Sequence, residues 1–539
     1  GVISGSGGVG ISGSRTITLT GNNTYTGDTT IAAGTLQVGN GGTSGSVAGN
    51  IVNNGTLAFN RSDALTYGGT IRGSGNLVQA GPGILTMTGT AGYAGSTAIN
   101  AGTLALSGAG SIAASSGVIN NGIFDISGMT SGATIKALSG AGTVALGSQT
   151  LTLANAAGTF SGVMAGTGGL TVGGGAQTLS GANAFTGTTT INAGTLALSG
   201  AGSIAASNGV VNNGTFDISG TTSGAAINAL SGTGTVALGS RTLTLANANG
   251  TTFSGVIGGT GGLVLNGGTQ TLSGANTYTG ATTVNAGTLA LTGAGSITAS
   301  SGVTLAAAGA ALDVVAGNQT LAHLSGVAGS RLTLGAGSAL TLADGTSQAF
   351  SGTLAGSGGL LKQGTGTFTL NGVSSAFSGT TTVAGGTLAV GDAANASAVL
   401  GGNVLVNTQG TLRGHGTVLG DVNSSGVVAP GGSIGTLAVG GNYTQTSGAT
   451  LSIEVSPTEA SQLRVGGAAA LGGTLAVVFD PGTYTAHRYT VLSAANGITG
   501  RFANVNLTTA GANLGGLQSA MTYGANAVDL SLFDPSAPG

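Results

Sequence analysis

The phrase "GANTYTGATTVNAGTLAL" (residues 274–291) appears in this chain five times in recognisable form. Close copies are "GNNTYTGDTTIAAGTLQV" (21–38) and "GANAFTGTTTINAGTLAL" (181–198). Looser ones are "GTAGYAGSTAINAGTLAL" (89–106) and "GVSSAFSGTTTVAGGTLAV" (372–390). Such repetition constrains the fold more than length does. A repeated unit packs mainly on its neighbours, so the chain reads as one array instead of several separate cores.

The glycine of "AGTL" serves as a phase marker: Gly34, Gly102, Gly194, Gly287 and Gly386, at intervals of 68, 92, 93 and 99 by subtraction. Divided by three, four, four and four, these give a unit of about 23 to 25 residues, longer than most leucine-rich or hexapeptide repeats. Between markers run short alternating segments such as "GTLALSG" and "GVVNNGTFDISG", apolar at i, i+2 and i+4 and closed by glycine. No segment carries a helical stripe. Three short strands and three turns per unit predict an all-β chain, a right-handed parallel β-helix of roughly 22 to 24 coils with about 23 residues per coil. At about 4.8 Å per coil, this predicts a rod on the order of 110 Å. A β-propeller is the rival, but its blades run about 40 to 45 residues, twice this period.

Composition removes other classes. The chain has 111 glycines among 539 residues but only 6 prolines and no G-X-Y period, which excludes collagen. Charged residues are 4%, while 40% are hydrophobic, the opposite of a disordered chain. With 11 Lys+Arg spread thinly and a net charge of −2, no basic surface can hold a phosphate backbone, so nucleic acid is excluded as a partner. Cysteine is absent, so disulfides and thiolate metal sites are absent. No apolar run is long enough to cross a bilayer as a helix. The opening residues parallel "GVIGGTGGLVLNGGTQTLSGANTYTG" (255–280), which leads us to expect a piece cut from a longer precursor.

In each copy an aromatic stands two residues before a glycine: Tyr25, Tyr93, Phe185, Tyr278 and Phe377. A stacking ladder that grips sugar rings is one reading. Consecutive copies lie roughly 14 to 19 Å apart along the axis, however, so the rings cannot stack on one another and are expected to pack corners of the coil. Asn100, Asn192 and Asn285 of "NAG" read as turn residues that tolerate positive φ or bond their own backbone. Residues 100–128 and 192–220 differ at three positions, the mark of a recent duplication that adds length without chemistry.

No constellation for catalysis, cofactor or metal binding emerges. Glu454 and Glu459 are the closest acidic pair, in "EVSPTEASQ"; Asp125 and Asp217 hold equivalent places in the duplicate. His323, His415 and His487 lie in a strand, a turn and a strand start, and no serine sits in a nucleophile elbow. Glycine-rich strings such as "GSGGVG" lack the strand–helix setting of a phosphate loop. Calcium-binding nonapeptides are also missing.

The C-terminal quarter is more specific. "APGGSIGTL" (429–437), "GNYTQTSGATL" and "YTVLSAANGITGRF" resemble the autochaperone, or pertactin-like, region of bacterial autotransporter (type V secretion) passengers. The repeated phrase resembles their passenger-associated transport repeat. The resemblance implies a passenger at the bacterial outer surface or released from it, folded as a β-helix from its C-terminal coils, with a translocator β-barrel outside this sequence. It divides the chain into a repeat-built stalk (1–400) and a C-terminal cap (401–539). The expected function is non-enzymatic: adhesion, self-association or extracellular fibre formation, with self-association or host and abiotic surface ligands as partners. A passive stalk displaying an upstream head is the alternative, and a hydrolase carried on the β-helix the remaining one.

Overall fold

The computed structural model describes residues 1–536, and all its regular elements are strands. Its contacts divide the chain into two units, Gly1–Leu263 and Val264 onward. Both are parallel β-solenoid, about 24 turns in all. The expected all-β coil stack is what the chain forms.

In the first unit, Thr16–Leu19 pairs with Thr35–Val38, which pairs with Thr56–Phe59 and then Asn76–Gln79, every step parallel. The register repeats without slippage because the pleat sends alternate residues to opposite faces. Leu36, Leu57 and Leu77 thus stack inward and are fully buried, whereas Thr35, Thr56 and Asn76 stack outward. Each such leucine contributes about 1.5–3 kcal/mol by leaving water.

Coil length varies. Whole-number division of the marker intervals assumed that the marker returns to the same face, and it does not. Thr35, beside Gly34, belongs to a sheet that includes Thr16 and Thr56; Thr103, beside Gly102, belongs to another with Ile84 and Ile123. The marker advances by fractions of a coil, so most coils of the first unit close in about 20 residues, as from Ile123 to Thr143 and on to Val163. Later coils vary more: Val404 pairs with Val422, 18 residues on by subtraction, whereas the last coils lengthen. Tyr443 pairs with Ala469 and Ala469 with Ile498, and their extra residues form loops.

Asparagine pairs stitch the coils together. Asn53, Asn120 and Asn212 point inward, fully buried, and each Nδ2 donates at 2.8 Å to a carbonyl of the next coil (Asn76, Thr143, Thr235). Their neighbours Asn54, Asn121 and Asn213 face out and accept from the backbone N–H of Ser74, Ala141 and Thr233.

Among the described residues, the strand ladders depart from parallel pairing at one sheet of the second unit. His487–Ala494 follows Gln462–Val465 in parallel, but its other edge pairs antiparallel with Ala527–Phe533, which in turn pairs antiparallel with Gln518–Tyr523. A hairpin therefore closes this sheet. Asp529 is buried within it, accepting from Arg488 and from Thr490 Oγ1 at 2.6 Å.

Candidate functional site

The repeated phrase resolves into a closed coil. In each copy the "GTL" strand stacks on the strand that preceded the aromatic corner: Thr35 on Thr16, Thr103 on Ile84, Thr195 on Ala176, Thr288 on Thr269 and Thr387 on Thr367. The marker glycines all have positive φ, from 59° at Gly102 to 80° at Gly287. A side chain at Gly102, Gly194 or Gly287 would also strike the carbonyl of Gly83, Gly175 or Gly268 on the coil before. Asn100, Asn192 and Asn285 sit at these turns, but no residue other than glycine takes positive φ among the described residues. The strained position is the glycine two places later, so the asparagines stay in ordinary conformations.

The five aromatics are interior, at most 1% exposed. The Tyr25, Tyr93 and Tyr278 hydroxyls bond the hydroxyl of the threonine four residues on (Thr29, Thr97, Thr282) at 2.6, 2.6 and 2.7 Å. Thr97 and Thr282 extend the chain to Ser115 and Ser300 at 2.9 and 3.0 Å. Burial pushes the Tyr93 and Tyr278 phenols well above their ordinary pKa, so they remain neutral. Where the aromatic is Phe185, Thr189 bonds Ser207 alone; below Phe377, buried Thr381 Oγ1 has no partner. The rings are core, with no face free to grip a ligand.

The histidines and acidic residues singled out from the sequence do not gather at one place among the described residues. His323 Nδ1 meets Asp344 at 2.6 Å, but the adjacent hydroxyl, Thr346 Oγ1, donates to the same carboxylate and not to the ring. Burial alone would raise the Asp344 pKa, yet the Thr346 N–H and hydroxyl and then His323 hold it below the usual carboxylate value. His415 packs against Gly435, with Nδ1 buried and unpartnered, and exposed His487 lies 4.5 Å from the Tyr489 ring. Asp125 and Asp217 each accept locally from Ser127 N and Ser219 N at 2.8 Å. Glu454 and Glu459 flank a turn closed by their own backbones. Among the described residues no three His, Asp or Glu gather to hold a metal, and no helix is long and apolar enough to cross a membrane.

Sequence reasoning missed Lys362. Its side chain points into the coil, 1% exposed, with Nζ donating to the carbonyls of Gln363 and Gly364 at 2.9 and 3.0 Å. Desolvation lowers its pKa, against a smaller opposing effect of Asp344. Its signal was a charge at an inward alternate of "GLLKQG", two places after Leu360.

The outer faces carry regular, nearly uncharged ladders. On one sheet of the first unit Ile84, Thr103, Ile123, Thr143 and Val163 stand in register on successive coils. Ile84, Ile123 and Val163 are 45%, 41% and 37% exposed.

The Passenger-associated-transport-repeat family profile matches residues 12–38, 77–106, 170–198, 265–291 and 360–390. Each match holds both stacked strands and the aromatic corner between them. An 88-residue stretch is 49% identical to the adhesin BmaC autotransporter of Brucella suis biovar 1 (strain 1330). The chain is an autotransporter passenger.

The aligned stretch is 16% of this passenger and 3% of the Brucella protein, so the passenger spans a small part of that relative's length. The crystal structure of the Haemophilus influenzae Hap adhesin aligns with it at 11% identity and a TM-score of 0.33, over 94% of this passenger and 64% of that chain. Passengers of this class stand at the cell surface or outside the cell.

Proposed function

We propose that this passenger is a non-enzymatic adhesin that binds surfaces and copies of itself through its outer ladders. The observation that carries the reading is the Ile84–Thr103–Ile123–Thr143–Val163 stripe, an exposed, uncharged file of β-branched side chains at one coil spacing. A second copy has the same rise per coil, so two such stripes match rung for rung and can interdigitate, as side chains do between stacked sheets. With a net charge of −2 on 539 residues, like copies hardly repel. The relative named an adhesin supports the same reading. Self-association also leaves a role for the division proposed from sequence, a stalk over 1–400 and a cap over 401–539 that holds the closing hairpin.

Analytical ultracentrifugation over a wide concentration range, with electron microscopy of the same samples, tests this. Concentration-dependent bundles that Ile123→Lys abolishes support it. A strict monomer, on cells that neither clump nor adhere, sinks it. The passive stalk is favoured by one observation, the near-identity of residues 100–128 and 192–220. Adhesion that survives only with further sequence attached would select the stalk.

A further inference from the structure

A surface groove of about 610 Å³ lies in the second unit, on the sheet that the hairpin closes. Its floor is the outward file of consecutive strands: Thr417 pairs with Ala438, Ala438 with Arg464, Arg464 with Ser493. Asn526 forms one wall, its Nδ2 fixed on the carbonyls of Ala494 and Ala495 at 2.7 and 2.9 Å. The other floor residues are small, so the arginine stands over a shallow bed. It is exposed and makes no ion pair among the described residues.

An unpaired guanidinium in a concave, otherwise uncharged site matches a carboxylate. Its planar fork binds both oxygens at once. The volume lies within the range of small-ligand clefts. The file of four residues spans three coil steps, about 14 Å, so the ligand must be extended along the axis. An acidic peptide adding as a strand has no purchase here. The strands under the groove are paired on both edges, so their backbone groups are already used. A sugar needs no backbone edge; it is held by side-chain hydroxyls, and Thr417 and Ser493 flank the charge.

We propose that this groove binds a short stretch of a carboxylated polysaccharide, with Arg464 on a uronate carboxylate and Thr417 and Ser493 on neighbouring hydroxyls. The inference deepens the adhesive reading, on which its biological use rests, by naming a ligand class and a place for it.

The test titrates the full chain with trigalacturonic acid by calorimetry and compares a neutral trisaccharide, cellotriose, and a tri-glutamate peptide. Saturable binding of the uronate alone is expected, weakened about tenfold in Arg464→Gln and also in Ser493→Glu, which sets a like charge against the ligand. Arg15→Gln, an exposed cation of the first unit, should leave binding unchanged. No binding, equal loss in Arg15→Gln, or equal binding of tri-glutamate would overturn the proposal. Circular dichroism of each variant keeps misfolding from counting as lost binding. Cells whose adhesion persists in Arg464→Gln while calorimetry shows no uronate binding to the wild type would defeat the groove and leave the adhesive reading standing. Uronate binding to a chain that confers no adhesion would do the reverse.

Discussion

Gly326 lies directly against the ring of Phe350 on the next coil: the two pair in register, and a Cβ on Gly326 would fall 2.5 Å from the ring Cε2. Glycine also bridges phenylalanine where Gly140 meets Phe160, Gly232 meets Phe253 and Gly356 meets Phe377, but a Cβ on those glycines would meet the backbone of the coil before and not the ring. At the Gly326 rung the ring fills the space over the glycine, so the residue stacked on it has no room for a side chain. Gly326→Ala should destabilise the chain by about 1–3 kcal/mol through overpacking. Urea unfolding of Gly326→Ala, Phe350→Leu and the double variant checks this. The double variant should recover part of the loss, and strict additivity would refute the contact as the cause.

Phe377→Tyr should stabilise. Thr381 Oγ1 is buried without a partner, and in the tyrosine copies the phenol meets that threonine at 2.6 to 2.7 Å. One buried hydrogen bond gained is about 1 kcal/mol. Phe185→Tyr should gain less, because Thr189 already bonds Ser207. Paired denaturation curves that show the opposite order would refute the assignment.

Two glycines separate backbone strain from collision. Gly102 and Gly108 both have positive φ, 59° and 62°, but nothing lies within 4 Å of a Cβ at Gly108, whereas one at Gly102 meets the coil before. Gly108→Ala should cost about 1–2 kcal/mol for the left-handed conformation alone. Gly102→Ala should cost clearly more, with a lower Tm. Equal losses would mean that stacking of the marker glycine is unimportant.

Lys362 should make the chain more stable towards alkaline pH. Its folded pKa lies below the ordinary 10.5, so between the two values the unfolded chain binds more protons and stability rises with pH. Lys362→Gln should remove that slope and keep the fold, since a glutamine is already held inward by turn carbonyls at Gln79, its Nε2 donating to Gly81 and Gly83 at 2.9 and 3.0 Å. Chemical denaturation from pH 7 to 10.5 reads both effects. A slope that survives the substitution would assign it to other groups.

Much of this was legible in the residues. Strand alternation in "GTLAL" and the glycine after each aromatic were enough for a coil stack, because period 2 and steric exclusion are local properties. The interior place of Tyr93 followed from the distance between copies. The coil length of the first unit did not, since "AGTL" looks the same on every face, and a count of residues carries no face label. The "NN" pairs escaped notice for a related reason: whether Asn120 or Asn121 turns inward depends on pleat phase, not on residue type.

What the sequence alone determined is the class of the molecule: sparsely charged, cysteine-free, all-β coils built on a passenger repeat, with glycines where neighbouring coils touch. Only the tertiary structure decided which face each repeat occupies, that a charged lysine is tolerated inside, that a hairpin closes one sheet, and that Thr417, Ala438, Arg464 and Ser493 share one groove. These depend on residues some 20 to 30 positions apart coming into register. Such register is set by the sum of coil lengths and loops, and no local stretch encodes it.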